Sequence, residues 1–177
     1  MERKVISYIA MSLDGYIAGP NDNLDFLSMV EQEGEDYGYE KFVETVDTVI
    51  IGRRTYEIVV SMAGHFPHAD KNAYIITRKP KPDTGTLKFF AGDLKALVYK
   101  LKSEKGKNIF CDGGAEIVNE LLKNDLIDEF IVSIIPVLVG DGIKLFQDGR
   151  PELKLELVST KQFPKGLTQL HYKRLRI

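Results

Sequence analysis

The sequence is poor in the residues that staple small proteins together. A single cysteine, Cys111, excludes an internal disulfide framework. Three scattered histidines (His65, His68 and His171), with no paired-cysteine motif, exclude an ordinary structural zinc site. His65-Phe-Pro-His68 has no further ligand cluster beside it, so no metal is expected. Tryptophan is absent. No stretch approaches the roughly 20 apolar residues that span a bilayer, so no membrane partner is expected. The N-terminus, Met-Glu-Arg-Lys-Val-Ile-Ser-Tyr-Ile-Ala-Met, enters a strand-like run with no apolar signal core. A cytoplasmic protein is the expectation. The net charge of −2 argues against a general nucleic-acid binder. No repeat, low-complexity tract or linker divides the chain, so residues 1–177 read as one domain.

What the sequence does have is alternation. Hydrophobic content of 44% and charged content of 28% are ordinary for a globular chain. Val5–Met11, 48–51, 73–77, 87–91, 108–111 and 129–135 read as short, buried strands. Residues 12–20 read as a loop, and a short helix is expected over 24–33. Helical spacing covers 36–46, 53–62, 94–102 and 115–123. Beyond Pro136 the helices cease, and 153–160 and 167–175 read as an antiparallel hairpin. The order predicts a three-layer α/β/α fold, with a mostly parallel mixed sheet and a C-terminal antiparallel hairpin.

The most informative stretch is Asn108-Ile-Phe-Cys-Asp-Gly-Gly-Ala-Glu-Ile117. A strand stops at two glycines and a helix begins. Adjacent glycines let backbone N–H groups approach a ligand, and the helix aims its unpaired N–H groups at the same point. Two further segments, Gly52-Arg-Arg-Thr-Tyr-Glu57 and Thr77-Arg-Lys79, also follow strands and carry positive charge. In open parallel sheets ligands bind at the carboxyl ends of strands, so the three turns are expected along one rim. Arg53, Arg54, Arg78 and Lys79 are either anion ligands or solvated surface charge. Cys111 reads as a buried, inert thiol. Tyr16 and Phe90 are either core or ring-stacking residues.

Together, Ile9-Ala-Met-Ser-Leu-Asp-Gly-Tyr-Ile-Ala18, Asp47-Thr-Val-Ile-Ile-Gly-Arg-Arg-Thr-Tyr-Glu57, Ile76-Thr-Arg78, Asp112-Gly-Gly-Ala-Glu116 and the pair Asp128-Glu129 followed by Pro136-Val-Leu-Val-Gly-Asp-Gly142 resemble the dihydrofolate-reductase-like superfamily. Within it they are similar to the reductase domain of the bifunctional riboflavin-biosynthesis deaminase/reductase (the RibD C-terminal family) and its stand-alone forms. The resemblance implies a dihydrofolate-reductase-like fold binding NADPH. It implies contacts from Asp112, Gly113, Gly114, Ala115 and Glu116 at the pyrophosphate, with a cis Gly113–Gly114 peptide. Gly52, Arg53 and Thr55 match the segment that opens a helix beside the cofactor, and Thr77 and Arg78 the one near the adenosine ribose. Ala10, Gly15, Tyr16 and Ile17, with Asp14, match the strand end and mobile loop at the nicotinamide.

The implied activity is hydride transfer to a pyrimidine, pterin or related heterocycle, as in a 5-amino-6-(5-phosphoribosylamino)uracil reductase of riboflavin biosynthesis. The alternative is a non-catalytic dinucleotide-binding or regulatory homodimer. For the proton, Asp36 matches the helix carboxylate of the folate-reducing branch when counted back from Gly52. Asp14 is a second candidate and Glu40 a third. Asp36 also reads as the cap of a solvated acidic helix start, and Asp14 as an Asp-Gly turn residue. No extra basic cluster marks a grip for a ribose 5-phosphate. A homodimer is the default expectation for this branch.

Overall fold

The structure, a computed structural model, describes residues 2–176. In chain order its first half comprises β1 (Val5–Ser12), β2 (Tyr16–Ala18), α1 (Tyr39–Val43), β3 (Val46–Gly52), α2 (Arg53–Ala63), β4 (Asn72–Ile76) and β5 (Leu87–Phe90). Its second half comprises α3 (Leu94–Ser103), β6 (Asn108–Gly113), α4 (Ala115–Lys123), β7 (Glu129–Ile135), β8 (Ile143–Lys144), β9 (Leu155–Gln162) and β10 (Thr168–Arg174). Eight strands form one sheet in the order β5-β4-β3-β6-β1-β7-β10-β9, and β2 pairs with β8 in a small ribbon. The first six strands of that order run parallel; β10 and β9 close the edge antiparallel. All six parallel strands therefore end on one rim.

Near-continuous β-branched runs make the central strands, because both faces of a covered parallel sheet are buried. Along β3, Val49 and Ile51 pack with Phe42, Phe66 and Phe110 on the face that carries α1 and α2, while Ile50 packs on the other face with α3 and α4. Helix α3 begins where the Asp93 carboxylate accepts from the Lys95 and Ala96 N–H groups at 2.8 and 3.2 Å. It buries Leu94, Leu97, Val98 and Leu101, each worth about 1.5–3 kcal/mol.

The predicted three-layer order holds, and the differences are local. The helix expected over 36–46 shrinks to Tyr39–Val43, because Tyr37 and Gly38 adopt left-handed backbone angles (φ 59° and 83°). Residues 24–33 yield only 3₁₀ turns over Asp25–Val30. The segment read as a plain loop contains β2, whose partner β8 was not legible: two residues carry no periodicity. The hairpin reverses through Pro164–Gly166. Among the described residues no helix is long and apolar enough to cross a membrane.

Candidate cofactor and active site

Sheet register brings the three sequence-defined turns together. Gly52 stands opposite Ile76 in the β3–β4 pair, and Ile51 stands opposite Gly113 in the β3–β6 pair. Gly52, Thr77 and Gly113 thus end three neighbouring parallel strands. Gly52 is the N-cap of α2 and Gly114 the N-cap of α4, and neither helix start receives a side-chain cap. The α3 start, by contrast, is filled by its Asp93 carboxylate. The two open starts touch. A Cβ on Gly52 would lie 3.2 Å from the Ile117 side chain and 3.6 Å from Gly114 N, and one on Gly114 would lie 2.8 Å from Thr55 Oγ1. Gly113 has φ 93°, which favours glycine, and the Gly113–Gly114 peptide is cis, as the resemblance implies. Ala115 is buried under this turn, and Glu116 is exposed in the first turn of α4.

The cations around the rim divide into engaged and free. Arg53 spends its guanidinium on Glu57, one helical turn on, at 2.9 and 3.0 Å. Arg54 reaches across to Asp22. Arg78 and Lys79 are exposed and have no ion-pair partner among the described residues. Their turn is fixed by the buried Thr77, whose hydroxyl oxygen accepts from Lys79 N at 3.1 Å and whose N–H donates to Phe90 O at 2.9 Å.

The carboxylates expected to deliver a proton have other partners. Asp36 lies outside α1, and its carboxylate accepts from Gly38 N at 2.9 Å and Glu40 N at 2.8 Å. Those backbone bonds hold its pKa below the usual carboxylate range. Asp14 accepts from Ser12 Oγ at 2.5 Å, Val139 N at 3.0 Å and Gly140 N at 2.8 Å. The Ser12 hydroxyl first, and then the two amides, likewise hold it low. An ionised carboxylate stabilised in this way is a poor acid at neutral pH. In this structure Asp36 and Asp14 fasten loops.

A different carboxyl has the properties of an acid. The β3–β6 register slips between Ile50 and Ile51, so Asp112 is the extra residue of a bulge at the strand's last turn. It is half-buried. It forms no hydrogen bond to a described residue, and burial alone pushes its pKa up to about 7. Tyr39 is close enough for the Asp112 charge to add to the burial that pushes its hydroxyl up. The Tyr39 hydroxyl lies 2.9 Å from Nε2 of the buried His68. Burial pushes the His68 pKa down, which favours the neutral ring.

The RibD C-terminal domain profile matches residues 3–169. The chain belongs to the RibD C-terminal domain family. It is similar to protein YwjB of Bacillus subtilis (strain 168), with 48% identity over 175 residues covering 98% of this chain and 99% of that one. It is also similar to a solved protein of Shewanella sp. PV-4 assigned to riboflavin biosynthesis, with TM-score 0.87, 30% identity and coverage of 99% and 100%. Dihydrofolate reductase from Enterococcus faecalis, complexed with NADP(H), shares the fold at TM-score 0.67 and 16% identity, over 99% and 100% of the two chains. The RibD C-terminal family is a reductase domain.

In this RibD C-terminal domain the remaining site residues surround the end of β1. Ala10 faces the cluster of Phe26, Val30, Ile135 and Leu167, while Ile17 packs on the opposite face. Gly15 (φ 90°) turns the chain into β2, and Tyr16 N donates to Ser12 Oγ at 2.9 Å. The loop expected to be mobile is fastened by the Asp14 bonds and by Leu145 N donating to Gly15 O at 2.9 Å. Beside Ala10, the Gln169 amide lies 3.0 Å from Tyr8 Oη, 3.1 Å from Tyr37 O and 3.2 Å from Ser133 Oγ. Sequence reasoning placed Asp112 in the phosphate turn and overlooked its acidity; the available signal was a lone carboxyl closing an apolar strand. It overlooked the Tyr39–His68 pair because 29 residues separate the partners.

Proposed function

We propose that this domain is an NADPH-dependent reductase that delivers hydride to a pyrimidine, pterin or related heterocycle. One observation carries the reading. Two helix N-termini, both left without side-chain caps, meet across Gly52 and Gly114 at the rim of a parallel sheet. Their free N–H groups and dipoles suit a pyrophosphate. Glycine at 114 lets the two starts meet, since a Cβ there would clash with Thr55 Oγ1, and the uncapped amides fit the group. Arg78 and Lys79, exposed and without an ion-pair partner among the described residues, stand at the next strand end, where a guanidinium and an ammonium suit a 2′-phosphate. No carboxylate occurs within Thr77-Arg-Lys79 to favour an unphosphorylated ribose.

When bound, NADPH supplies the hydride; the protein positions the partners and manages the proton. Asp112, whose carboxyl holds a proton near neutral pH, donates from its Oδ atom to the reduced nitrogen or oxygen of the acceptor. Tyr39, hydrogen-bonded to His68, is near enough to feel the charge of that carboxyl.

Titration with NADPH, followed by fluorescence of the reduced nicotinamide, tests the binding half. The expected result is saturation, with NADH bound about tenfold or more weakly, because one lost charged contact costs about 1.4 kcal/mol or more. No binding at millimolar NADPH would contradict the proposal. Loss of the reduced-nicotinamide absorbance band with a heterocycle panel tests turnover, and saturable binding without any loss would favour a regulatory role.

A further inference from the structure

A buried amide stands on the sheet face that carries α1. Ala10, Ser133 and Gln169 lie side by side on β1, β7 and β10. Gln169 is 7% exposed. Its Nε2 faces three oxygens, Tyr8 Oη, Tyr37 O and Ser133 Oγ, at 3.0, 3.1 and 3.2 Å. The Tyr37 carbonyl can only accept, so the amide nitrogen is the atom that turns to it. Oε1 receives no hydrogen bond from a described residue, and no buried polar side-chain atom among the described residues lacks a partner. Oε1 is therefore reached from solvent, and it offers a fixed acceptor to a ring N–H beside Ala10.

The chain that covers this face is strongly acidic. Residues 13–44 hold nine carboxylates and one base, Lys41, a net −8 in a protein of net −2. Among the described residues only Asp22 of the nine has an ion-pair partner, Arg54. Two lysines approach from other elements and are engaged there. Lys165 donates to the Glu31 carbonyl oxygen, and Lys144 lies 5.9 Å from the Tyr16 ring centroid. At the strand ends the loops after β1 and β7 are joined by Leu13 N donating to Val137 O at 2.9 Å, and they expose Leu13 and Leu138.

A run of carboxylates is by itself a solvated face; its position against the sheet gives this one a consequence. Phe26 and Val30 pack on Ile135 and Leu167, and the Tyr39 ring lies 5.4 Å from that of Tyr8. Tyr8 is one residue beyond Ser7, which pairs with Cys111, so it neighbours Asp112 across β1 and β6. Burial, and beyond it the charges of Asp36 and Glu35, push the Tyr8 hydroxyl up. Gln169, Tyr8, Tyr39 and Asp112 thus form one continuous patch with carboxylates on its flank.

We infer that the acceptor is a neutral or cationic heterocycle without a phosphate, presenting a ring N–H to Gln169 Oε1 beside Asp112. This substrate class rests on the reductase reading and narrows it. A phosphate brings about −1.5 to −2 charges at neutral pH. Unpaired carboxylates repel it across roughly a Debye length, about 10 Å at 0.1 M salt, and no cation on this flank receives it. The coenzyme's phosphates belong instead to the helix starts and Arg78, so the two halves of the cleft differ in sign.

Backbone chemical-shift titration of the NADPH-saturated chain at low ionic strength tests it with matched ligands: uridine against uridine 5′-monophosphate, and pterin against pterin-6-carboxylate. The uncharged member of at least one pair is expected to shift the Tyr8, Tyr39 and Gln169 amides. Its anionic partner is expected to bind about tenfold or more weakly, a gap that shrinks in high salt. Glu31→Gln/Glu33→Gln/Glu35→Gln keeps an oxygen for the Tyr37 amide and is expected to narrow the gap about threefold. Gln169→Met is expected to weaken the uncharged member about tenfold; a merely structural role would move the melting temperature and leave that affinity alone. Anionic members that bind as tightly as their partners, or no shift at these amides with any ligand at millimolar concentration, would overturn the inference and leave the coenzyme site standing. Failure of NADPH itself to bind would overturn the reductase reading, and this substrate class with it.

Discussion

Gly114 and Thr55 approach so closely that a single carbon added to Gly114 would lie 2.8 Å from the Thr55 hydroxyl oxygen. Two helices thus begin against one another with their N–H groups unclaimed by side chains. A protein that needed only a tight connection could cap those amides with serine or aspartate, as it caps α3 with Asp93.

Gly114→Ala is accordingly expected to disturb the rim more than the fold. Overfilling a packed site costs about 1–3 kcal/mol, so a thermal melt should fall by a few degrees. NADPH affinity should fall much further, about tenfold or more, because the added carbon occupies the approach surface. Binding unchanged from wild type would separate this turn from the cofactor.

Arg78 and Arg53 are distinguished by their partners. Arg78 has no ion-pair partner among the described residues, whereas Arg53 is paired with Glu57. Arg78→Ala is expected to erase most of the preference for NADPH over NADH, a change of about tenfold. Arg53→Ala should change it little, since an exposed helix pair is worth about 0.3–0.5 kcal/mol. Dissociation constants for both coenzymes measure the contrast.

Asp112 yields two signatures in pH. If it is the acid, kcat falls as pH rises through about 7, and Asp112→Asn lowers kcat by about a hundredfold or more and removes that limb. Its effect on stability has a defined sign. The folded pKa lies above the unfolded value of 3.8, so the folded state binds more protons between the two. Stability is greatest below about 3.8 and is lost as pH rises toward about 7. The melting temperature of Asp112→Asn should therefore gain on the wild type over that window and then hold level.

Asp36→Asn should leave turnover intact, because the Asp36 carboxylate serves the amides of Gly38 and Glu40. Asp14→Ala should instead release the loop after β1. Hydrogen exchange at the Val139 and Gly140 amides, its two acceptor-bound donors, should accelerate at neutral pH. In the wild type the folded pKa of Asp14 lies below 3.8, so its fastening is complete above that value and is lost as pH falls through the lowered one.

The fold was largely legible because buried parallel strands and amphipathic helices carry their own periodicity. The rim followed from it: Gly52, Thr77 and Gly113 each follow a strand, and parallel strands share an end. What escaped depended on long-range contacts. The β2–β8 ribbon joins Tyr16 to Lys144, and no local pattern announces two paired residues. Asp36 resembled a cleft carboxylate in sequence, yet the left-handed Tyr37 and Gly38 start the helix after it. The raised pKa of Asp112 comes from burial, and the residue sits at a register slip, which is a property of two strands and not of one.

The central claim is that the amides at the starts of α2 and α4 converge on a single coenzyme. Backbone chemical-shift mapping during an NADPH titration tests it most directly. The account predicts saturable shifts concentrated at Arg53–Thr55, Thr77–Lys79 and Gly113–Glu116. Shifts confined to other surfaces, or none at millimolar NADPH, would contradict it.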